Sequence, residues 1–147
     1  MISDQLLTGG NDIETAIRYK RGMNSGTQNY KDLLVWQNGI GLAKVVYNLA
    51  KSFPAEEKFG LVSQMRRAAV SIPSNVAEGQ ARRTTGEFVQ FISNAEGSAA
   101  ELDTQLILSV ELGFCAKDKA LPIYEMLEEE RRMLNALRRK LSRRTTS

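Results

Sequence analysis

Arginine and carboxylate are the side chains here whose placement could do chemistry. Arg131, Arg132, Arg138, Arg139, Lys140, Arg143 and Arg144 crowd the last stretch, and Arg66, Arg67, Arg82 and Arg83 form a second group in mid-chain. Clustered guanidinium groups are the electrostatic footprint of a polyanion site. Glu125, Glu128 and Glu129 offer carboxylates that could hold Mg²⁺, which needs few protein ligands. Their spacing is that of an ordinary charged helix face, and no partner pair stands out on another helix. Histidine is absent. That removes imidazole acid–base catalysis, Ser-His and Cys-His nucleophiles, and His metal ligands. The expectation is therefore no enzyme, no cofactor and no metal. Cys115 reads most simply as a small hydrophobe near a helix end.

The elements that must position these groups are helices. Trp36, Ile40, Ala43, Tyr47 and Ala50 recur at four-three spacing, with Val35, Leu42, Val46, Leu49 and Phe53 as an adjacent stripe. This predicts an amphipathic helix from about Leu33 to Ser52, capped by Asp32 and stopped by Pro54. Leu61, Met65, Ala68 and Ile72 predict a second helix beginning near Glu56. Because Val76 and Ala77 keep the apolar phase, Pro73 is expected to kink this helix rather than end it, with Gly79 as terminator. Thr84 and Glu87 read as a capping box, followed by Phe88, Ile92, Ala95, Ala99, Leu102, Leu106 and Val110 on one face, ending at Gly113. Ile123, Leu127, Glu130, Leu134, Leu137 and Leu141 make a seam from about Asp118 to Arg143, with Pro122 in its first turn. Glu130 interrupts that seam, and rotation of its carboxylate to the helix edge is the plainer expectation.

The fold class that follows is all-α, an antiparallel up-down-up-down four-helix bundle with a proline-kinked second helix, spanning residues 30–147. Residues 1–29, interrupted by Gly9-Gly10, Gly22 and Ser25-Gly26, read as a flexible tail. No apolar run is long enough to cross a membrane, no basic-then-apolar leader opens the sequence, and a lone cysteine fits a reducing compartment, so the expected location is cytoplasmic.

Tyr30-Lys31-Asp32-Leu33 with Val35-Trp36-Gln37, Phe53-Pro54 with Glu57 to Leu61, and above all the block from Gln64 to Gly79 carry a resemblance. They resemble the four-helix-bundle family named for proteins encoded in intervening sequences of bacterial 23S ribosomal RNA genes. Phe88 to Phe91, Gly97-Ser98 and Glu101-Leu102 resemble its third helix. The resemblance implies a kinked second helix and assembly into a ring, a pentamer, without implying an activity. By fold and assembly the chain is also similar to the accessory bundle of diversity-generating retroelements, which works with a reverse transcriptase and RNA.

Two site readings follow. In a ring, Arg66, Arg67, Ser71, Asn75, Glu78 and Glu101 would form a subunit interface, arginines pairing with carboxylates. In an isolated bundle the same residues are a solvated face, and Asn75 or Glu78 would satisfy a carbonyl freed by Pro73. Arg82 and Arg83 before the third helix, with Arg138, Arg139, Arg143 and Arg144 at the end of the fourth, would converge at one end of the bundle and hold RNA or DNA backbone. The plainer reading of the latter is a solvated helix end complementing the dipole. Net charge is only +3. The partners implied are further copies of the chain, RNA or DNA, and an enzyme acting on nucleic acid. The alternative is a purely protein-binding or structural homo-oligomer.

Overall fold

The computed structural model describes residues 29–145. Within that range there are four long helices and no strand: α1 (Leu34–Ala50), α2 (Leu61–Gln80), α3 (Thr85–Glu111) and α4 (Lys117–Thr145). The expected tail lies outside the described residues except for Asn29. Short 3₁₀ turns precede α1 (Tyr30–Asp32) and α2 (Ala55–Glu57).

Several boundaries differ from the sequence expectation for local reasons. Asp32 does not cap α1. Its carboxylate accepts from the backbone N–H of Asn29, whose own side chain accepts from Lys31, so the capping box closes the 3₁₀ turn instead. Leu33 takes the cap position of α1 without a side-chain bond and is fully buried. The second helix begins at Leu61, not Glu56. Gly60 breaks the backbone path at φ −107°, ψ −112°, and Glu57 accepts from the Leu61 N–H at 3.2 Å. Pro122 lies beyond the first turn of α4.

α2 runs through Pro73 to Gln80, as the resumed apolar phase at Val76 predicts. Asn75 Nδ2 donates to the Ser71 carbonyl at 2.8 Å and to Ser71 Oγ at 2.9 Å, so the carbonyl it serves is Ser71's. Gly79 is not a terminator. It is a buried residue inside α2, where a Cβ would stand 2.6 Å from Phe91 Cβ and 3.0 Å from Phe88 Cδ1. Close approach of α2 and α3 is what requires glycine there. Gly79→Ala should destabilise the protein by about 1–3 kcal/mol through overpacking, read as a lowered denaturation midpoint with unchanged slope.

Thr84 caps α3 as expected, but Glu87 meets the Thr84 hydroxyl, so the expected capping box forms only in its Thr84 half. Thr84 Oγ1 accepts from the Glu87 N–H at 3.1 Å and donates to the Glu87 carboxylate at 2.9 Å. At the other end Gly113 adopts φ +78°. Its N–H bonds Val110 O and the Phe114 N–H bonds Ser109 O, the paired closure of a Schellman motif.

Contacts between helices pair early residues of one with late residues of the next. Gly39 lies against Pro73 and Tyr47 under Arg66; Met65 meets Ser109 and Ser71 meets Ser98; Glu96 bonds Arg138 and Asp103 pairs with Arg131. Neighbouring helices therefore run in opposite directions, and α1 closes the bundle against α4. The core takes Val35, Leu42, Val46 and Ala50 from α1, while Ile40 and Tyr47 of the other expected stripe stay at the surface, 38% and 40% exposed. α2 contributes Met65 and Ile72, α3 Ile92, Leu102 and Leu106, and α4 Leu127, Leu134, Leu137 and Leu141. Val110 is only half-buried.

Glu130 corrects another expectation. It does not rotate to the edge; it is 0% exposed, facing the core from α4. Asn38 Nδ2, itself fully buried on α1, donates to Glu130 Oε1 at 2.9 Å. A carboxyl group can be held in a core only where such hydrogen bonds offset its desolvation.

Candidate nucleic-acid interface

The outward side of α4, where it lies along α3, forms a shallow groove. Arg139, Lys140 and Arg143 line its C-terminal end; Arg131, Arg132 and Asn135 line the middle; Glu96 and Glu128 complete the wall. The stripe arises because residues three and four apart share a helix face. Five basic side chains against two carboxylates give the groove a positive potential, and no aromatic ring lines it.

Cross-helix ion pairs divide the basic residues by role. Arg138 Nε donates to Glu96 Oε1 at 2.5 Å, with Asn135 Nδ2 on the other oxygen at 3.3 Å. Arg131 pairs with Asp103 at 3.5 Å. Arg132 approaches Glu128 at 3.9 Å and Glu129 at 3.6 Å on its own helix. Arg138 and Arg131 thus pin α4 to α3, while Arg139, Arg143 and Arg144 are exposed.

Arg82 and Arg83 lie at the same end of the bundle. The pairs 96–138 and 103–131 set Arg143 level with Phe91 on α3, and Arg82 stacks 4.7 Å from the Phe91 ring centroid. Arg82 also pairs with Glu78 at 2.8 Å. Phe91 packs towards α2, however, and Glu96 towards α4, so Arg82 and the groove occupy different sides of α3. Arg83 is exposed in the preceding loop. The six arginines expected to converge share an end but not a face.

Of the expected interface residues, Arg67, Glu78 and Glu101 are exposed. Ser71 bonds Ser98 Oγ at 2.8 Å and Asn75, so it ties α2 to α3 within the chain. Arg66 lies over the Tyr47 ring at 4.7 Å with its Nε buried. Beside this pair Ile40 and Val70 expose apolar surface.

Two further groups have shifted protonation equilibria. Burial pushes the Cys115 thiol up from its ordinary value, which lowers its thiolate fraction. Burial, then the nearby Asp103 carboxylate, raises the Tyr124 phenol. Among the described residues no group of three or more Cys, Asp or Glu side chains could hold a metal ion, and no helix is long and apolar enough to cross a membrane. Asn38 and the inward turn of Glu130 escaped sequence reasoning. The signal was there in Glu130, an acidic residue in phase with five apolar ones, but its donor sits on another helix.

The family model described as 23S rRNA-intervening sequence protein matches residues 31–136, from the turn before α1 well into α4. The chain belongs to this family. The match takes in the Gln64–Gly79 block and the Asp103–Arg131 ion pair between α3 and α4, and it leaves Arg138 to Arg144 outside. No curated protein sequence matches the chain. The C-terminal half of the groove is thus read from this chain's own geometry, beyond the part that it shares with the 23S rRNA-intervening sequence protein family.

Proposed function

We propose that this member of the family is a non-enzymatic, oligomeric accessory protein that holds nucleic-acid backbone along the α4 groove. The supporting observation is the stripe of Arg139, Lys140 and Arg143 along a groove without aromatic rings. Guanidinium forks suit phosphate, and without rings to stack on, bases go unread. An association with ribosomal RNA genes in the family's name is compatible with an RNA-related role. A cytoplasmic location and an enzyme acting on the same nucleic acid as a further partner belong to this reading. A ring of five copies would repeat the groove, so weak contacts would add.

Fluorescence anisotropy with mixed-sequence RNA and duplex DNA tests it. Binding should fall steeply from ~50 mM to physiological salt through counterion release. Replacing Arg139, Arg143 and Arg144 with glutamine should weaken all sequences alike. It should also flatten the log–log salt dependence by about 0.9 for each phosphate that is no longer neutralised. Absence of binding at ~50 mM salt rejects the proposal.

A second reading, a protein-binding or structural homo-oligomer, draws on the α1–α2 face. There Ile40, Tyr47 and Val70 are exposed around the Arg66–Tyr47 stack. Aromatic and arginine side chains together are the usual anchors of interfaces. Assembly that persists in high salt while nucleic acid fails to bind favours this reading.

A further inference from the structure

The α1 stripe of Trp36, Ile40, Ala43 and Tyr47 has the helical period of a core face, yet none of its residues is buried. It runs along the seam of α1 with α2, where Val70 and Arg66 complete a shallow apolar groove that holds one cation. Arg66 lies over the Tyr47 ring, and its Nε has no hydrogen-bond partner among the described residues. At the lower end of this groove, just before α2, Phe59 is 88% exposed. A second face without a partner lies on α3. Gly97, Glu101, Thr104, Leu108 and Leu112 recur there at helical spacing, and all are exposed. Nothing lies within 4 Å of where a Cβ would stand at Gly97.

These two faces stand at the same height. Gly39 against Pro73 and Tyr47 under Arg66 fix the register of α1 on α2, and Ser71 with Ser98 and Gly79 with Phe91 fix that of α2 on α3. Every helix rises equally per residue. Gly97 is therefore level with Ile40, Thr104 with Tyr47 and Arg66, and Leu108 and Leu112 flank the level of Phe59, each to within a turn. α1 and α3 both pack on α2 and α4, so they occupy opposite corners of the bundle.

We propose that the α1–α2 groove receives the outer face of α3 from a second copy, with the helices of the two copies parallel. The contact joins two different faces, so each copy offers one of each, head to tail. Rotation about an axis along the bundle carries a residue round without raising it, so residues of equal height meet. Level faces therefore close into a ring, where offset faces would climb as a filament. The outer face of α3 is turned obliquely from the groove and not directly away from it, so successive copies curve. Ile40 meets the open surface at Gly97, and Phe59 enters between Leu108 and Leu112. Glu101, one turn from Thr104, comes within reach of Arg66, whose guanidinium favours a carboxylate. Apolar contacts around one shielded arginine pair are the anatomy of an interface core. Arg139, Lys140 and Arg143 on α4 take no part, so every copy keeps its basic groove open to phosphate.

This inference rests on the oligomeric part of the proposed function and is independent of the nucleic-acid part. Its test uses full-length, nucleic-acid-free protein carrying Cys115→Ser, with Ile40→Cys and Gly97→Cys added singly or together. Both positions are at the surface, so the fold accepts a thiol there. Within one chain they lie on opposite corners, roughly two helix diameters (~20 Å) apart, beyond the reach of a short bis-maleimide. The double variant should give a ladder of covalent multimers on a denaturing gel, ending at the mass of the ring. Each single variant should stay monomeric on that gel, and a mixture of the two should stop at dimer. Arg66→Glu should dissociate the ring in sedimentation, and adding Glu101→Arg should restore it. Wild-type protein that sediments as a monomer at micromolar concentration overturns the oligomeric reading and this contact with it. An oligomer whose double variant gives no ladder, or whose Ile40→Cys variant alone forms dimers, overturns this contact and leaves the oligomeric reading standing.

Discussion

Leu134→Ala should destabilise the protein by about 2–5 kcal/mol, and Leu106→Ala by a similar amount. Both leucines are fully buried, one on α4 and one on α3, and belong to the same apolar cluster. Each truncation removes three carbons from a close-packed interior and leaves a cavity that long, mutually buttressed helices cannot readily collapse. Urea denaturation followed by circular dichroism measures the change. A loss below about 1 kcal/mol at either position would mean that these helix faces do not meet in the core. A comparable truncation at the exposed Leu121 should stay within about 0.5 kcal/mol.

The second large effect is expected at Asn38. Asn38→Ala withdraws the amide that donates to Glu130 Oε1 at 2.9 Å inside the core. A buried acceptor that loses a donor keeps its desolvation penalty, so the cost should be about 3 kcal/mol. Glu130→Leu alone strands the amide instead and should also destabilise. The double variant, apolar on both helices, should recover much of the loss, with a coupling of about 0.5–3 kcal/mol in the thermodynamic cycle. Additive losses would show that the two side chains do not act together.

The residues that announced the fold acted locally. Thr84 with Glu87 and the glycine at 113 each satisfy backbone groups within a few residues of themselves, so their roles could be read along the chain. The same is true of the Ile123–Leu141 seam, which needs only a helical period to be recognised. Asp32 and Glu56 misled because each lies within a 3₁₀ turn that precedes its helix: Asp32 accepts from the Asn29 N–H inside that turn, and the N–H of Leu61 is met by Glu57 rather than Glu56. Gly79 misled because a glycine near a helix end has two uses, and only the position of Phe91 on another helix distinguishes them. The candidate site was legible as composition and not as partition. Which arginine pins α4 and which faces solvent depends on Glu96 and Asp103, some 28 to 42 residues away, through a register that no local spacing encodes.

Seams of leucine and isoleucine are tolerant of sliding, because any apolar residue satisfies another. Moving α4 by seven residues relative to α1 would keep its stripe inward and set Ile123 or Leu137 where Glu130 now lies. Asn38 would then face hydrocarbon, and the carboxyl group would lose its amide. The buried pair thus acts as an index mark. It costs something in the aligned state and far more in every misaligned one, which separates the native arrangement from its nearest decoys and leaves the bundle one ground state.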